Sequence, residues 1–312
     1  MKEIGGYFEL ETNRFEEYHK GALKLNSGST CLKLIIRNYH IRKLYVPEFT
    51  CPVVWKSVQD ENCECVFYQV GPDFMPQQDF GKDDYILYNN YFGINGRNVR
   101  IMEQQYRNLI VDNAQAFYAT NDTLASFNSA RKFFGVPDGG YLYCRDEVKM
   151  PDAVSESWNK CKALLKRCDR PASEGYADFK ESEYMIAEEP VARMSKLTEC
   201  LLCSIDYEFV RKKRLENFKY LHGQLGKYNQ LTIDLDQKDV PLVYPFLTDK
   251  SGLRENLIAN KIYVATYWPG SNQDEMRKII PLPIDQRYEK YEIDCIIEKI
   301  EDVFGIKIIS CQ

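Results

Sequence analysis

The chain has 312 residues, 44% of them apolar, which is enough to bury the core of one large domain or two of ordinary size. Its formal net charge is -5, with acidic and basic residues interspersed, so no face is built to neutralise a phosphate backbone and nucleic acid is not an expected partner. No apolar run approaches the roughly 20 residues of a spanning helix, and the opening MKEIGGYFELETNRFEEY carries acidic residues where a secretory signal would be apolar, so no membrane partner and a cytoplasmic location are expected.

From about residue 23 to 145, short apolar runs alternate with helical patterns. KLNSG is followed by STCLKLIIRNYHI, KLYVPEF by TCPVVWKSVQ, then come CVFYQV, YILYNN, NVRIMEQQYR and NLIVDNA. TLASFN and GYLYCRD read as further strands. This alternation predicts an α/β fold with a mostly parallel, doubly wound sheet covered by helices on both faces. Residues 151 to 225 read as helical, with a polar interruption at RPASEGYADF and one long helix from about Met194 to Leu225. After GKYNQ, the runs VPLVYPFL, SGLRENLIANK, IYVATYWP and YEIDCIIEKIEDVF predict strand, helix, strand, helix. The expected organisation is a large domain over residues 1–225, including the helical connection, and a small C-terminal α+β domain over 226–312.

The 11 cysteines run from Cys31 to Cys311 and do not have the density of a disulfide scaffold. Cys63 and Cys65 fall on one face of a predicted strand, and Cys200 and Cys203 fall in a helical pattern where cysteine serves as a small hydrophobe. No histidine lies near either pair, so no metal site is expected, and His19, His40 and His222 read as surface or packing residues.

In a doubly wound sheet, ligands gather at the carboxyl ends of the strands, and three clusters sit there. In NSGSTCL, Asn26, Ser27, Gly28, Ser29 and Thr30 make a polar turn that opens a helix, which is either a plain cap or an anion site of free N–H groups and hydroxyls. In LIVDNAQAF, Asp112 ends an apolar strand, where a desolvated carboxylate needs a cation, a structural arginine or a helix end beside it. In SARKFFGVPDGG, Ser129 precedes Lys132, and Asp138-Gly139-Gly140 leads into the next strand. An anion cradle, a buried carboxylate and an amine are together what pyridoxal 5'-phosphate requires: a phosphate site, a partner for the pyridine nitrogen and a Schiff-base lysine.

VDNAQAFYA, the SGST turn and the spacing from Lys132 to Gly139-Gly140 resemble the DegT/DnrJ/StrS-type nucleotide-sugar aminotransferases, and the likeness runs from GGYFELE to YWPG and LPIDQRY. The resemblance implies the fold type I architecture of aspartate aminotransferase, a homodimer, and transfer of an amino group from an amino acid, glutamate foremost, to a keto-sugar or related carbonyl acceptor in polysaccharide or natural-product biosynthesis. It implies that Lys132 carries the Schiff base and moves the proton, that Asp112 pairs with the pyridinium, and that Gln115 bonds the ring's phenolic oxygen. Gly28, Ser29, Thr30 and Ser129 would hold the phosphate, with Arg131 beside them. Relatives with histidine at the position of Lys132 perform dehydration, so transamination is implied here.

Two positions depart from the family pattern. Cys51 in PEFTCP stands where an aromatic ring usually covers the cofactor, and Val191 stands where an asparagine usually reaches a neighbouring subunit's phosphate. They motivate an alternative, a non-catalytic or regulatory homologue that keeps the fold, and a third reading keeps the cofactor but changes the reaction. Tyr263, Tyr267 and Trp268 either close over the substrate or pack in the core. Arg287 either clamps a donor carboxylate or sits in a surface ion pair.

Overall fold

The computed structural model describes residues 6–307; Gly5 of the opening motif and Cys311 lie outside it. In chain order the strands are β1 (Leu23–Leu25), β2 (Lys43–Pro47), β3 (Glu64–Tyr68), β4 (Tyr85–Asn89), β5 (Leu109–Asp112), β6 (Ala125–Ser129), β7 (Gly140–Cys144), β8 (Val243–Phe246) and β9 (Ile280–Pro283). The helices are α1 (Gly28–Asn38), α2 (Pro52–Asp60), α3 (Gly96–Gln105), α4 (Lys162–Asp169), α5 (Ala172–Ala187), α6 (Lys196–Leu202), α7 (Tyr207–Leu225), α8 (Leu253–Ala259), α9 (Asp274–Arg277) and α10 (Lys290–Phe304).

Seven strands form one sheet in the order β1-β7-β6-β5-β4-β2-β3. The five from β2 to β6 run parallel, β7 is antiparallel to β6, and β1 is antiparallel to β7. The central strands β4 to β6 are buried on both faces and alternate accordingly, while the edge strand β3 is partly exposed. Ile86 and Tyr88 of β4 and Leu109 and Val111 of β5 pack toward α7, β8, β9 and α10, while Leu87 and Ile110 pack toward α1 and α2. Each fully buried Leu, Ile or Val contributes about 1.5–3 kcal/mol relative to exposure.

The helices start where the sequence offers a cap. Ser27 accepts from the Thr30 N–H ahead of α1, Pro52 opens α2, and α10 has a reciprocal capping box between Glu289 and Glu292 and ends at Gly305 with φ 67°.

Three expectations are corrected. The single helix from Met194 to Leu225 is two, because the Asp206 carboxylate accepts from the Phe209 N–H at 2.9 Å and caps a new helix, α7, after the Ser204-Ile205 turn. The interruption expected over RPASEGYADF is confined to Arg170-Pro171, between α4 and α5: Pro171 takes the position before the first turn, and the rest of the stretch begins α5. The strand expected at IYVATYWP is irregular, and β8 pairs instead with IPLP of β9. Two prolines argue against a strand by propensity. In this register Pro281 faces Pro245 and Pro283 faces Val243, so the prolines occupy the pairs that exchange no ladder bonds, and their missing N–H groups are not called upon.

The C-terminal unit is therefore a two-stranded ribbon with α8 and α10, and it shares one continuous core with the β4–β5 face of the large sheet. Among the described residues, no helix is long and apolar enough to cross a membrane.

Candidate active site

A cavity of about 670 Å3 opens at the carboxyl ends of β1, β2, β4, β5 and β6. Gly28 and Ser29 come to it from the start of α1, Asp112 and Gln115 from the end of β5, and Ser129 and Lys132 from the end of β6. Parallel pairing explains why these distant residues meet: Asp112 is in register with Phe127, so β5 and β6 end at one level and their following turns share one crevice. Lys132 ends a single 3-10 turn, Ala130–Lys132, anchored by the Ala130 N–H donating to the Gly139 carbonyl at 3.1 Å.

Asp112 is buried, and its Oδ1 accepts from the Ala114 N–H at 2.7 Å. Desolvation pushes its carboxyl up from 3.8 to about 6, opposed by that backbone bond and by the charge of Lys132. The carboxylate thus sits at the floor of the cavity and gains from any cation placed opposite it.

The first N–H groups of α1 have no intrahelical acceptor, and Gly28 and Ser29 present that turn to the cavity. The turn is backed by β7 at very close range. A Cβ on Gly140 would lie 2.6 Å from the Ser27 carbonyl carbon and 2.9 Å from the Gly28 nitrogen, so only glycine lets the strand pass. Gln115 also lines the cavity, and its Oε1 accepts from the Phe92 N–H at 2.6 Å, which leaves its amide protons as the donors it can offer.

Some expected residues lie elsewhere. Thr30 does not line the cavity: its side chain turns back into the cap, where Oγ1 donates to Asn26 Oδ1 at 2.6 Å. Arg287 is also absent from the lining: the Nε–Nη2 edge of its guanidinium donates to both oxygens of Asp285, at 2.7 and 2.8 Å. Arg131 does line the cavity, paired with Glu183 of α5. Val191 is not a lining residue and packs with the α1–α2 core, whereas Cys51 lines the cavity at the start of α2. Tyr267 and Trp268 line it as well. Trp268, with φ 47°, sets its ring edge-on to Phe49 at 4.5 Å, while Tyr263 is exposed.

The sequence reading missed Ala114, Asn89 and the α5 wall of Lys180, Glu183 and Tyr184. Ala114, two places past Asp112, was findable from the strand-end rule; the α5 residues follow only from tertiary packing.

No protein-family model and no curated protein matches the chain. Solved structures do. The chain is similar to a DegT/DnrJ/EryC1/StrS aminotransferase from Brucella abortus, at 15% identity and TM-score 0.56 over 91% of this chain and 86% of that one. It is similar to the aminotransferase TlmJ from Streptoalloteichus hindustanus, at 14% identity and TM-score 0.63 over 91% and 86%. It is also similar to NtdA from Bacillus subtilis, solved with its cofactor PMP, at 12% identity and TM-score 0.66 over 92% and 74%.

The chain has the aminotransferase fold. Within the aminotransferase fold, the cavity described above lies where the parallel strands end, and the residues around it fit a pyridoxal phosphate. A buried carboxylate with an elevated pKa awaits a cationic ring nitrogen, an open helix end backed by a strand with no Cβ offers room for a phosphate, and a lysine stands on the adjoining turn.

Proposed function

We propose that this chain is a pyridoxal-phosphate-dependent aminotransferase of the DegT/DnrJ/StrS type, taking an amino group from an amino acid such as glutamate to a keto-sugar or related carbonyl acceptor. The observation that carries the reading is that Lys132, Asp112 and the open end of α1 line one cavity. When bound, pyridoxal phosphate supplies an aldehyde that condenses with primary amines and a ring that accepts electrons from the adjacent carbon.

The roles of the chain's own groups follow from their chemistry. The N–H groups of Gly28 and Ser29, with the Ser29 and Ser129 hydroxyls, bind the phosphate. Asp112 holds a proton on the ring nitrogen: at an effective dielectric near 20, a contact at about 4 Å is worth about 4 kcal/mol. Gln115 orients the ring through its amide protons. Lys132 Nζ is the amine that bonds the cofactor and, when released by the donor, carries the proton between donor carbon and cofactor. Tyr267, whose phenol burial pushes up to about 12, stays neutral and is a hydrogen-bonding wall for substrate. The proposed assembly is a cytoplasmic homodimer. The large exposure of Tyr7 and Phe8, at 99% and 93%, supports a partner surface near the start of the described chain.

Cys51 on the cavity wall favours a second reading, a homologue that binds the cofactor without turnover. One experiment separates the readings. Borohydride reduction of the protein mixed with pyridoxal phosphate yields an adduct at Lys132 that Lys132→Ala abolishes; an adduct unchanged in that variant refutes the assignment. In a separate, unreduced sample, added glutamate bleaches the visible band of an aminotransferase and leaves that of a binding protein intact.

A further inference from the structure

The peptide between Phe133 and Phe134, one residue past Lys132, is gripped from the far third of the chain. The carbonyl of Phe133 accepts from Gln286 Nε2 at 3.0 Å and, at the limit of hydrogen bonding, from Arg214 Nη2 at 3.5 Å. The Arg214 guanidinium lies 4.4 Å from the Phe133 ring centroid, a cation–π distance. Arg214 Nε in turn donates to Gln286 Oε1 at 3.1 Å, and Nη1 donates to the Leu242 carbonyl at 2.9 Å. Gln286 therefore receives from Arg214 with its oxygen and gives to Phe133 with its nitrogen.

This arrangement is expensive. Arg214 is 2% exposed, its hydrogen bonds all go to neutral oxygens, and burial lowers its pKa to about 10. A methionine or leucine would fill such a place without desolvating a cation. What the cation contributes is direction, since from α7 its planar fork meets Gln286 beyond β9, the approach to β8 and the lysine turn at once.

The lysine turn is consequently fixed at both ends. Ala130 is tied to Gly139 on the large-domain side, and Phe133 is tied to Gln286 and Arg214 on the C-terminal side. The two residues between these anchors are Arg131 and Lys132. We propose that Gln286 and Arg214 are positioning residues that hold Lys132 at the angle from which its amine meets the cofactor; this rests on the reading of Lys132 as the cofactor-bonding amine.

The test uses Gln286, because truncating Arg214 also strips bonds from the approach to β8. Gln286→Glu keeps an acceptor for Arg214 and removes the donor to Phe133; Gln286→Leu removes both. Full-length wild type and variants, freed of cofactor, are mixed with pyridoxal phosphate at pH 8. The rate of the borohydride-trapped adduct at Lys132 is followed by mass spectrometry, and the pH midpoint of the adduct's visible band is titrated. Denaturant unfolding of each protein serves as the control for folding.

Both variants should form the adduct about 10-fold more slowly, with a displaced pH midpoint, while unfolding as cooperatively as wild type. Wild-type rate and midpoint in both variants overturn the proposal. A defect confined to Gln286→Leu overturns the role of the Gln286 bond to the Phe133 carbonyl and assigns the positioning to Arg214. Absence of any Lys132 adduct in the wild type overturns the reading of Lys132 itself, and the positioning role with it.

Discussion

Replacing Asp112 by asparagine should make the cofactor-free protein more stable while impairing its use. The carboxyl has a pKa of about 6 in the folded chain against 3.8 as its ordinary value, chiefly because it is desolvated. Between those values the folded state binds more protons than the unfolded one, so stability falls as pH rises through that window and the deficit is complete above it. The difference amounts to about 3 kcal/mol at pH 7.5 and about half that at pH 5. Asparagine keeps an oxygen for the Ala114 N–H, now 2.7 Å from Asp112 Oδ1, and carries no charge to desolvate. Urea unfolding of the cofactor-free wild type and Asp112→Asn at both pH values measures the gap. A variant less stable than wild type at pH 7.5, or a gap that does not shrink at pH 5, refutes the account of Asp112 as an anion whose desolvation outweighs its partners. The same variant should bind pyridoxal phosphate more weakly, because the cation at the ring nitrogen would lose its counter-charge.

Gly140→Ala should cost more than 2 kcal/mol of stability, at the upper range of overpacking, and weaken phosphate binding, because its Cβ would press on the Ser27–Gly28 peptide at 2.6 to 2.9 Å; urea unfolding and phosphate protection against heat report the two effects. His19 is buried, with ring nitrogens 2.9 Å from the Tyr143 hydroxyl and 2.6 Å from the Phe117 carbonyl, and burial lowers its pKa to about 4. The unfolded chain then binds the extra proton between about 4 and 6.5, so acidification from pH 7.5 to 5 should cost about 2 kcal/mol through this group. His19→Gln should remove that slope, opposite in sign to the slope from Asp112, when stability is followed against pH.

The parallel strands of the large sheet were legible because buried strands flanked by helices leave unmistakable apolar runs, and β5 and β6 fall on LIVD and ASFNS. Two of the cavity residues were legible for the same reason: Asp112 and Lys132 are polar interruptions at or just past strand ends. What failed depended on long-range packing. Propensity alone could not make a strand of IPLP, since its prolines are tolerated only in the register that β8 imposes. Nor could it foresee that Thr30 would turn inward to Asn26, or that Asp285 would occupy Arg287. The α5 wall carries no local signature at all, because its cavity residues lie on a helix whose opening reads as a polar loop.

The cavity wall at Ala265–Pro269 and the grip of Gln286 on Phe133 come from the last fifth of the chain. A nascent polypeptide emerging from the ribosome can pair β1 to β7 early, yet its binding pocket stays unfinished until translation is nearly over. Products of premature termination therefore carry Lys132 and Asp112 without the Ala265–Pro269 wall that completes the cavity around them.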